Sequence, residues 1–307
     1  MGEPIDYFVI ADDGLTREQA SRTNLTTLQP GYRSDALVVF PEPGLYCVID
    51  EEAPAAGSIG RARTSRRLLA GVYVEPGDNV RRDIGDHVKS KLVQAARNSG
   101  LDGFTRERVI QDLRDHLKLS LFTPHPDITN EEIANTKGQE LAFFIDTNTS
   151  EFGVSNTLGS YFHFQPFDPN RVDRKLKLGD AEEWTLESYL ASHPFHIHVN
   201  PFQIVKVLNQ QGQDVSCKPG EVFNEDGEAC FEDPADPQYT GLKGVWKDTI
   251  WVKSQSPGSS DGYYKVVVRT RYQRYIGDFV LHCHILDHED QGMMQKISIV
   301  LPENLHE

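Results

Sequence analysis

The triplet His282-Cys283-His284, which follows the apolar residues Phe279-Val-Leu, constrains this chain more than any other feature. Side chains alternate between the two faces of a β-strand, so both imidazoles should point to one face and the Cys283 thiol to the other. The segment His193-Pro-Phe-His-Ile-His198 similarly places His196 and His198 on one face of a strand. Together the two segments predict two coupled metal sites in a β domain.

The thiol side of this arrangement has the residues for a blue-copper site. Two histidines and one cysteine with a weak axial methionine form such a site, and His193, Cys283, His288 and Met293 supply them. Met294 is the alternative axial candidate. Zinc is the competing metal, but structural zinc sites usually contain paired cysteines, and the sequence has no CxxC motif. Copper is therefore the favoured metal.

Short apolar runs broken by turn residues indicate a mainly β fold. The predicted strands cover residues 7–10, 36–40, 45–49, 68–74, 141–145, 204–208, 249–252, 263–269, 279–284 and 295–300. This density of short strands in the second half of the chain is typical of a β-sandwich or barrel. The strands of residues 7–50 are too few for a complete sandwich, which predicts partner strands on another segment or chain.

A helical segment interrupts this pattern between residues 78 and 119. Apolar residues recur at four-residue spacing at positions 80, 84, 88 and 92, and Gly100 stands where the first helix should stop. The second helix is predicted to begin with Thr105 as its N-cap. Its apolar face contains Val109, Ile110, Leu113 and Leu117.

Composition excludes several function classes. The formal net charge of −15 argues against a nucleic-acid partner, and no apolar run approaches the roughly 18 residues of a membrane-spanning helix. The first residues have no basic and apolar regions of the kind that begin a signal peptide. The sequence therefore predicts no nucleic-acid partner and no membrane span.

The remaining cysteines lie away from the metal motifs. Cys217 and Cys230 bracket a polar segment and could form a disulfide or remain two thiols, because pairing cannot be deduced from spacing. Cys47 lies in an apolar run and is predicted to be a buried strand residue.

The two histidine segments, the second extending from His282 through Met293, resemble the C-terminal copper motifs of three-domain multicopper oxidases of the laccase type. The segment Val245-Trp-Lys-Asp-Thr-Ile250 resembles the strand before the second motif, and Leu28-Gln-Pro-Gly-Tyr-Arg-Ser-Asp-Ala-Leu37 resembles the end of the middle domain. The resemblance implies a Greek-key cupredoxin domain at 140–307, a helical insertion at 76–139 and the trailing part of a second cupredoxin domain at 1–75.

The resemblance also implies a role for each motif residue. His193, Cys283, His288 and Met293 would hold the type 1 copper. His196 would hold the type 2 copper, and His198, His282 and His284 would hold the type 3 pair. Glu289 matches a carboxylate that is thought to deliver protons, although an exposed acid beside Asp290 is the competing interpretation.

Four His-x-His pairs hold the trinuclear cluster in this family, and the present sequence contains two. We therefore expect a C-terminal portion with a complete type 1 site and a partial type 2 and type 3 site, whose partner is a missing N-terminal domain. The resemblance implies oxidation of small phenolic or aromatic donors with dioxygen as acceptor, in a periplasmic or secreted protein. The alternatives are a metallo-oxidase and an electron-transfer module without oxidase activity.

Overall fold

A computed structural model describes residues 2–60, 62–80, 83–159, 163–218, 223, 227, 231–232, 237–254 and 262–304. The chain divides into two compact units. The first contains Met1–Thr27, Arg33–Ser58 and Arg63–His125, and the second contains Leu28–Tyr32, Ile59–Ala62 and Pro126–Glu307. The predicted domain boundaries near residues 75 and 139 stay a proposal.

The first unit combines a small sheet with two helices. Strands β1 (Tyr7–Asp12), β2 (Leu15–Thr23) and β3 (Ser34–Val38) form an antiparallel sheet in the order β2-β1-β3. Phe8 of β1 shares a buried core with Val88 and Ile110, which lie on the two helices. Apolar residues at helical spacing thus bury one face of each helix in this unit.

Aspartate side chains cap both helices at their N-termini. Helix α1 (Ile84–Arg97) is capped by Asp83, whose side chain accepts from the Asp86 backbone N–H. Helix α2 (Gly103–Arg114) is capped by Asp102, which accepts from Phe104 and Thr105. The prediction that Thr105 is the N-cap was therefore wrong, because the aspartate three residues earlier already satisfies the exposed N–H groups.

A separate two-stranded sheet contains β4 (Gly44–Asp50) and β5 (Arg67–Val74). The strand around Cys47 is confirmed, but its predicted burial was wrong, because Cys47 is exposed. Leu45, Leu69 and Tyr73 in the same sheet are also more than 60% exposed. Among the described residues no other strand pairs with β4 or β5. The apolar run of β4 therefore forms a strand whose side chains stay largely exposed.

The second unit is a sandwich of two sheets, and its strands come from residues 139–300. The first sheet has the order β13-β10-β15-β16-β8 and the second has the order β12-β11-β14-β9-β6-β7. Their bounds are β6 (Gln139–Asp146), β7 (Glu151–Ser155), β8 (Arg174–Lys177), β9 (Ala181–Ser188), β10 (His193–Ile197), β11 (Phe202–Leu208), β12 (Trp246–Lys247), β13 (Thr249–Val252), β14 (Lys265–Arg271), β15 (Gly277–Cys283) and β16 (Met294–Val300). This unit also contains two short α-helices, α3 (Asn130–Ile133) and α4 (Leu286–Asp290), and a 3-10 helix at Pro302–Asn304.

Both sheets contribute side chains to one apolar core. Trp184, Leu186 and Val266 from the second sheet are buried in the same cluster as Leu281 and Ile297 from the first. Alternation along β16, in which every second residue is buried, shows how the period of two places one face of the strand against this core. The predicted mainly β fold is confirmed.

Cys217 is disulfide-bonded, whereas Cys47 and Cys283 have free thiols. Cys230, the partner considered for Cys217, lies outside the described residues. Within the described part of the chain, none of the helices has the length and apolar character that crossing a membrane requires.

We expect Asp214→Ala to lower the free energy of unfolding by about 3–5 kcal/mol, because it removes one carboxylate of a buried ion pair and the acceptor of two buried backbone N–H groups. Asp214 Oδ2 lies 3.0 Å from Lys243 Nζ, and Oδ1 accepts from the backbone N–H groups of Val207 and Ser216. Urea denaturation followed by tryptophan fluorescence measures the change.

Asp278→Ala is the matched control. Asp278 pairs with Lys296 at 3.7 Å, but its side chain is 51% exposed, so the expected loss is below about 1 kcal/mol. Equal losses in the two variants would contradict the importance of the buried pair.

Candidate metal centre

Six of the eight predicted metal residues lie on two neighbouring strands or directly after them. Strands β10 and β15 pair antiparallel, with Phe195 opposite Cys283 and His196 opposite His282. The next strand, β13, pairs with the other edge of β10. Because of this register, the histidines of two distant motifs meet on one side of the sheet, while the thiol of Cys283 is buried in the core.

Four imidazoles form a group that we call the histidine cluster: His196, His198, His282 and His284. Neighbouring ring centroids in the cluster are 5.0–5.4 Å apart. One ring nitrogen from each of His196, His198 and His282 lies within 4.8 Å of the others. The expectation that residues two apart share a strand face therefore agrees with the geometry of this cluster.

The spacing within the cluster fits a metal ion. The Nε2 atoms of His198 and His282 are 3.2 Å apart. Two nitrogens that each lie about 2 Å from one ion are roughly 3.3 Å apart at a tetrahedral angle. Imidazole nitrogens are also donors that copper favours.

Contacts outside the cluster orient two of its rings. His196 Nδ1 lies 3.0 Å from the Asp248 carbonyl oxygen and 2.9 Å from Thr249 Oγ1. His282 Nδ1 lies 2.9 Å from the Cys283 carbonyl oxygen and 3.0 Å from Glu289 Oε2. Such contacts fix the ring and leave Nε2 for a metal.

Burial also keeps the ring of His282 neutral. Removal from water is the main reason that the pKa of His282 falls to about 4, and the nearby rings of His196 and His284 lower it further. The ring is therefore neutral near pH 7, and a neutral imidazole has the lone pair that a metal requires.

A second group of donors surrounds the thiol of Cys283. Its Sγ lies 4.0 Å from His288 Nδ1, and the rings of His193 and His288 have centroids 5.0 Å apart. Met293 is fully buried, and its carbonyl accepts from the Cys283 N–H at 3.0 Å. One soft thiol, two imidazoles and a buried thioether are the donor set of a blue-copper site, so these residues fit copper.

The thiol requires a metal to ionise. Burial raises the pKa of Cys283 to about 12, although the Ile285 N–H, 3.4 Å from Sγ, acts in the opposite direction. A bound metal ion deprotonates a coordinating thiol, and the Ile285 N–H would then stabilise the thiolate.

Two local features hold the other donors. Ser188 Oγ lies 2.7 Å from His193 Nδ1 and donates to the Ala191 carbonyl, which orients the imidazole. The segment from His288 to Met293 closes on itself, because the Met293 N–H donates to the His288 carbonyl at 3.0 Å. Gly292 permits this turn, since its φ of +111° is unfavourable for other residues.

The structure brings the predicted donor residues together and adds supporting contacts that the sequence did not predict. Ser188, Asp248 and Thr249 were not predicted, although the last two lie in a segment singled out for its resemblance to a family strand. The isolated histidines His87, His116, His125 and His163 take no part in the metal-binding group found among the described residues. His306 lies outside the described residues.

Comparisons with known proteins show the family of this chain. The family model described as multicopper oxidase matches residues 138–300, more than half of the chain. The laccase of Bacillus subtilis is 30% identical over 186 residues, which cover 60% of this chain and 31% of the laccase. The chain thus spans about a third of that relative's length.

Solved structures show the same fold at lower identity. The multicopper oxidase McoA from Aquifex aeolicus has a TM-score of 0.58 and 16% identity, over 97% of this chain and 50% of McoA. The Campylobacter jejuni multicopper oxidase described as a metallo-oxidase has a TM-score of 0.56 and 17% identity, over 96% and 49% of the respective chains. The family model, whose match covers all eight predicted metal residues, shows that this chain belongs to the multicopper oxidase family.

Proposed function

We propose that this chain carries the electron-accepting copper site and part of the oxygen-reducing site of a laccase-like oxidase. The proposal rests on one observation. The thiol of Cys283 is buried in the core, whereas its two neighbours, His282 and His284, belong to the histidine cluster on the opposite face of the sheet. Adjacent residues of the chain therefore reach both groups of donors. Bound copper would supply one-electron chemistry, in which four electrons and four protons convert dioxygen into two water molecules.

In this proposal each donor group has its own task. His193, Cys283, His288 and Met293 hold the type 1 copper, His196 holds the type 2 copper, and His198, His282 and His284 hold the type 3 pair. Glu289 keeps a carboxylate 3.0 Å from His282 Nδ1, where it can hold a proton beside the cluster. Four imidazoles are too few to enclose three coppers, so further histidines come from another segment or chain.

The surroundings of His288 favour an aromatic molecule as the electron-donating substrate. The ring of Phe152 lies 4.9 Å from the ring of His288, and Leu286 of the adjacent helix is 67% exposed. An apolar surface beside a half-buried imidazole suits a flat, uncharged molecule. A metallo-oxidase for cuprous ions is the second candidate, but the sequence offers only three methionines as soft donors.

Anaerobic stopped-flow mixing tests this proposal. We expect a phenol to bleach the visible band of the copper-loaded chain. Leu286→Asp should slow this bleaching roughly tenfold, equivalent to about 1.4 kcal/mol, because a charged group repels the aromatic ring from the apolar surface.

Ile276→Asp is the matched control, because Ile276 is 60% exposed and directly precedes Gly277. Gly277 begins β15, and the six residues from there to Cys283 at its other end span roughly 20 Å. This variant should bleach at the parent rate. Bleaching by a cuprous salt but not by phenol would favour the metallo-oxidase.

A further inference from the structure

A tight turn from a distant part of the sequence belongs to the same compact unit as the metal-binding strands. Residues Leu28–Tyr32 cluster with Pro126–Glu307. Pro30 occupies the second position of the turn, Gly31 has a φ of +85°, and the Tyr32 N–H donates to the Gln29 carbonyl at 3.0 Å. This combination is that of a type II turn, whose third position requires a positive φ.

Side chains on both sides of Gly31 anchor the turn. The backbone N–H of Trp251 donates to Tyr32 Oη at 2.7 Å, and Lys247 Nζ lies 4.0 Å from the centroid of the Tyr32 ring. The Gln29 amide donates to Gln238 Oε1 at 2.8 Å. Trp251 belongs to β13, which pairs with the histidine-bearing strand β10, so the turn is fixed relative to the histidine cluster.

Gly31 packs directly against the ring of His284. A β-carbon at position 31 would lie 2.5 Å from His284 Cδ2, 2.8 Å from Cγ and 3.0 Å from Nε2. These distances are shorter than non-bonded carbon atoms tolerate, so an alanine would displace either the ring or the turn. The glycine is thus required twice, by its backbone conformation and by the imidazole.

The orientation of His284 matters because its ring lies at one side of the cluster. Its centroid is 5.3 Å from that of His196 and 5.4 Å from that of His282, but its nitrogens are not part of the closest three-nitrogen group. Rotation of this ring therefore decides where its nitrogen points. A surface that blocks rotation on one side would preorganise the ligand.

We propose that the turn of residues 29–32 positions the His284 ring for metal binding, with Gly31 as the positioning residue. The metal-binding part of this inference rests on the proposed function, in which His284 is a copper ligand. The positioning part concerns the protein alone and holds without metal. The turn thus acts on the cluster although about 250 residues separate Gly31 from His284 in the sequence.

Gly31→Ala tests this inference, with Gly179→Ala as the matched control. Gly179 lies in the same compact unit and has a φ of +96°, but a β-carbon there would meet nothing within 4 Å. Both variants therefore place alanine at a positive φ, and only one collides with His284. The readout is the Cδ2–Hδ2 NMR signal of His284 in the metal-free full chain, recorded with ¹³C-labelled histidine.

Gly31→Ala should move the His284 signal by more than its line width, while Gly179→Ala should leave it in place. Titration with cupric ion alone should show an affinity at the histidine cluster about 10- to 100-fold weaker in Gly31→Ala, as for other residues that orient a metal ligand. An unmoved His284 signal, or equal movement in both variants, would overturn the positioning role.

Tyr32→Phe covers the case in which Gly31→Ala does not fold. It keeps the glycine and removes only the oxygen that accepts from Trp251, so the His284 signal should broaden or split. An unchanged signal in this variant would overturn the inference. If the signals respond as expected but the parent binds no cupric ion at the cluster, the positioning role stands and the proposed function fails.

Discussion

The copper-loaded Cys283→Ser variant should lack the intense visible absorption that we expect of the parent chain. That absorption comes from a covalent thiolate–copper bond in a trigonal site, and serine has no sulfur to form it. Cys283 is fully buried beside His288, and the other described free thiol, Cys47, is exposed. The loss should therefore be complete, and an absorption spectrum of the copper-loaded protein measures it.

Two variants serve as controls for this result. Cys47→Ser removes the exposed thiol and should leave the colour unchanged. Met293→Leu keeps a buried side chain of similar size but removes the axial sulfur, so copper and colour should remain while the reduction potential rises. A blue band that survives in Cys283→Ser would refute the ligand assignment, and a potential that responds to Met294→Leu alone would favour Met294 as the axial ligand.

The isolated chain should retain about one tightly bound copper and reduce little dioxygen. The proposed type 1 donors are His193, Cys283, His288 and Met293, which all lie in one compact unit, so we expect their site to close without ligands from another chain. The histidine cluster offers only four imidazoles, and coppers with half of their ligands would be weakly held. Metal analysis after exhaustive dialysis and an oxygen electrode measure these two quantities.

His282→Asn and His163→Asn provide a matched pair for the copper count. His282 is buried in the histidine cluster, whereas His163 is exposed. Before dialysis the first should bind less of the weakly held copper than the parent chain, and after dialysis it should keep the tightly bound ion. The second should change neither quantity. Three or four tightly bound coppers per chain, together with four-electron oxygen consumption, would show that ligands outside the two motifs complete the cluster.

The fold was predictable where local pattern and final structure coincide. Apolar runs such as residues 249–252 and 295–300 became β13 and β16 within one residue of the predicted bounds. Strand β2 was missed because its sequence, Leu15-Thr-Arg-Glu-Gln-Ala-Ser-Arg-Thr23, is polar. Asp13-Gly14, with φ values of 51° and 80°, joins it to β1 and was the available hairpin signal.

Burial was less predictable than strand formation. The run containing Cys47 has the composition of a buried strand, yet β4 pairs with β5 alone among the described strands and Cys47 is exposed. Propensity depends on a residue and its neighbours in the chain, whereas burial depends on which layer packs above the strand. The sequence pattern therefore predicted that a strand forms at Cys47 but not whether that strand is buried.

The sequence by itself determined which candidate donor side chains share a strand face, because alternation along a strand is a local property of the backbone. Only the tertiary structure decided that His196 lies opposite His282, that Asp248 and Thr249 orient His196, and that Gly31 packs against His284. Each of these contacts joins residues 50 or more positions apart. Their existence depends on strand pairing and on the path of distant turns, for which neighbouring residues in the sequence carry no signal.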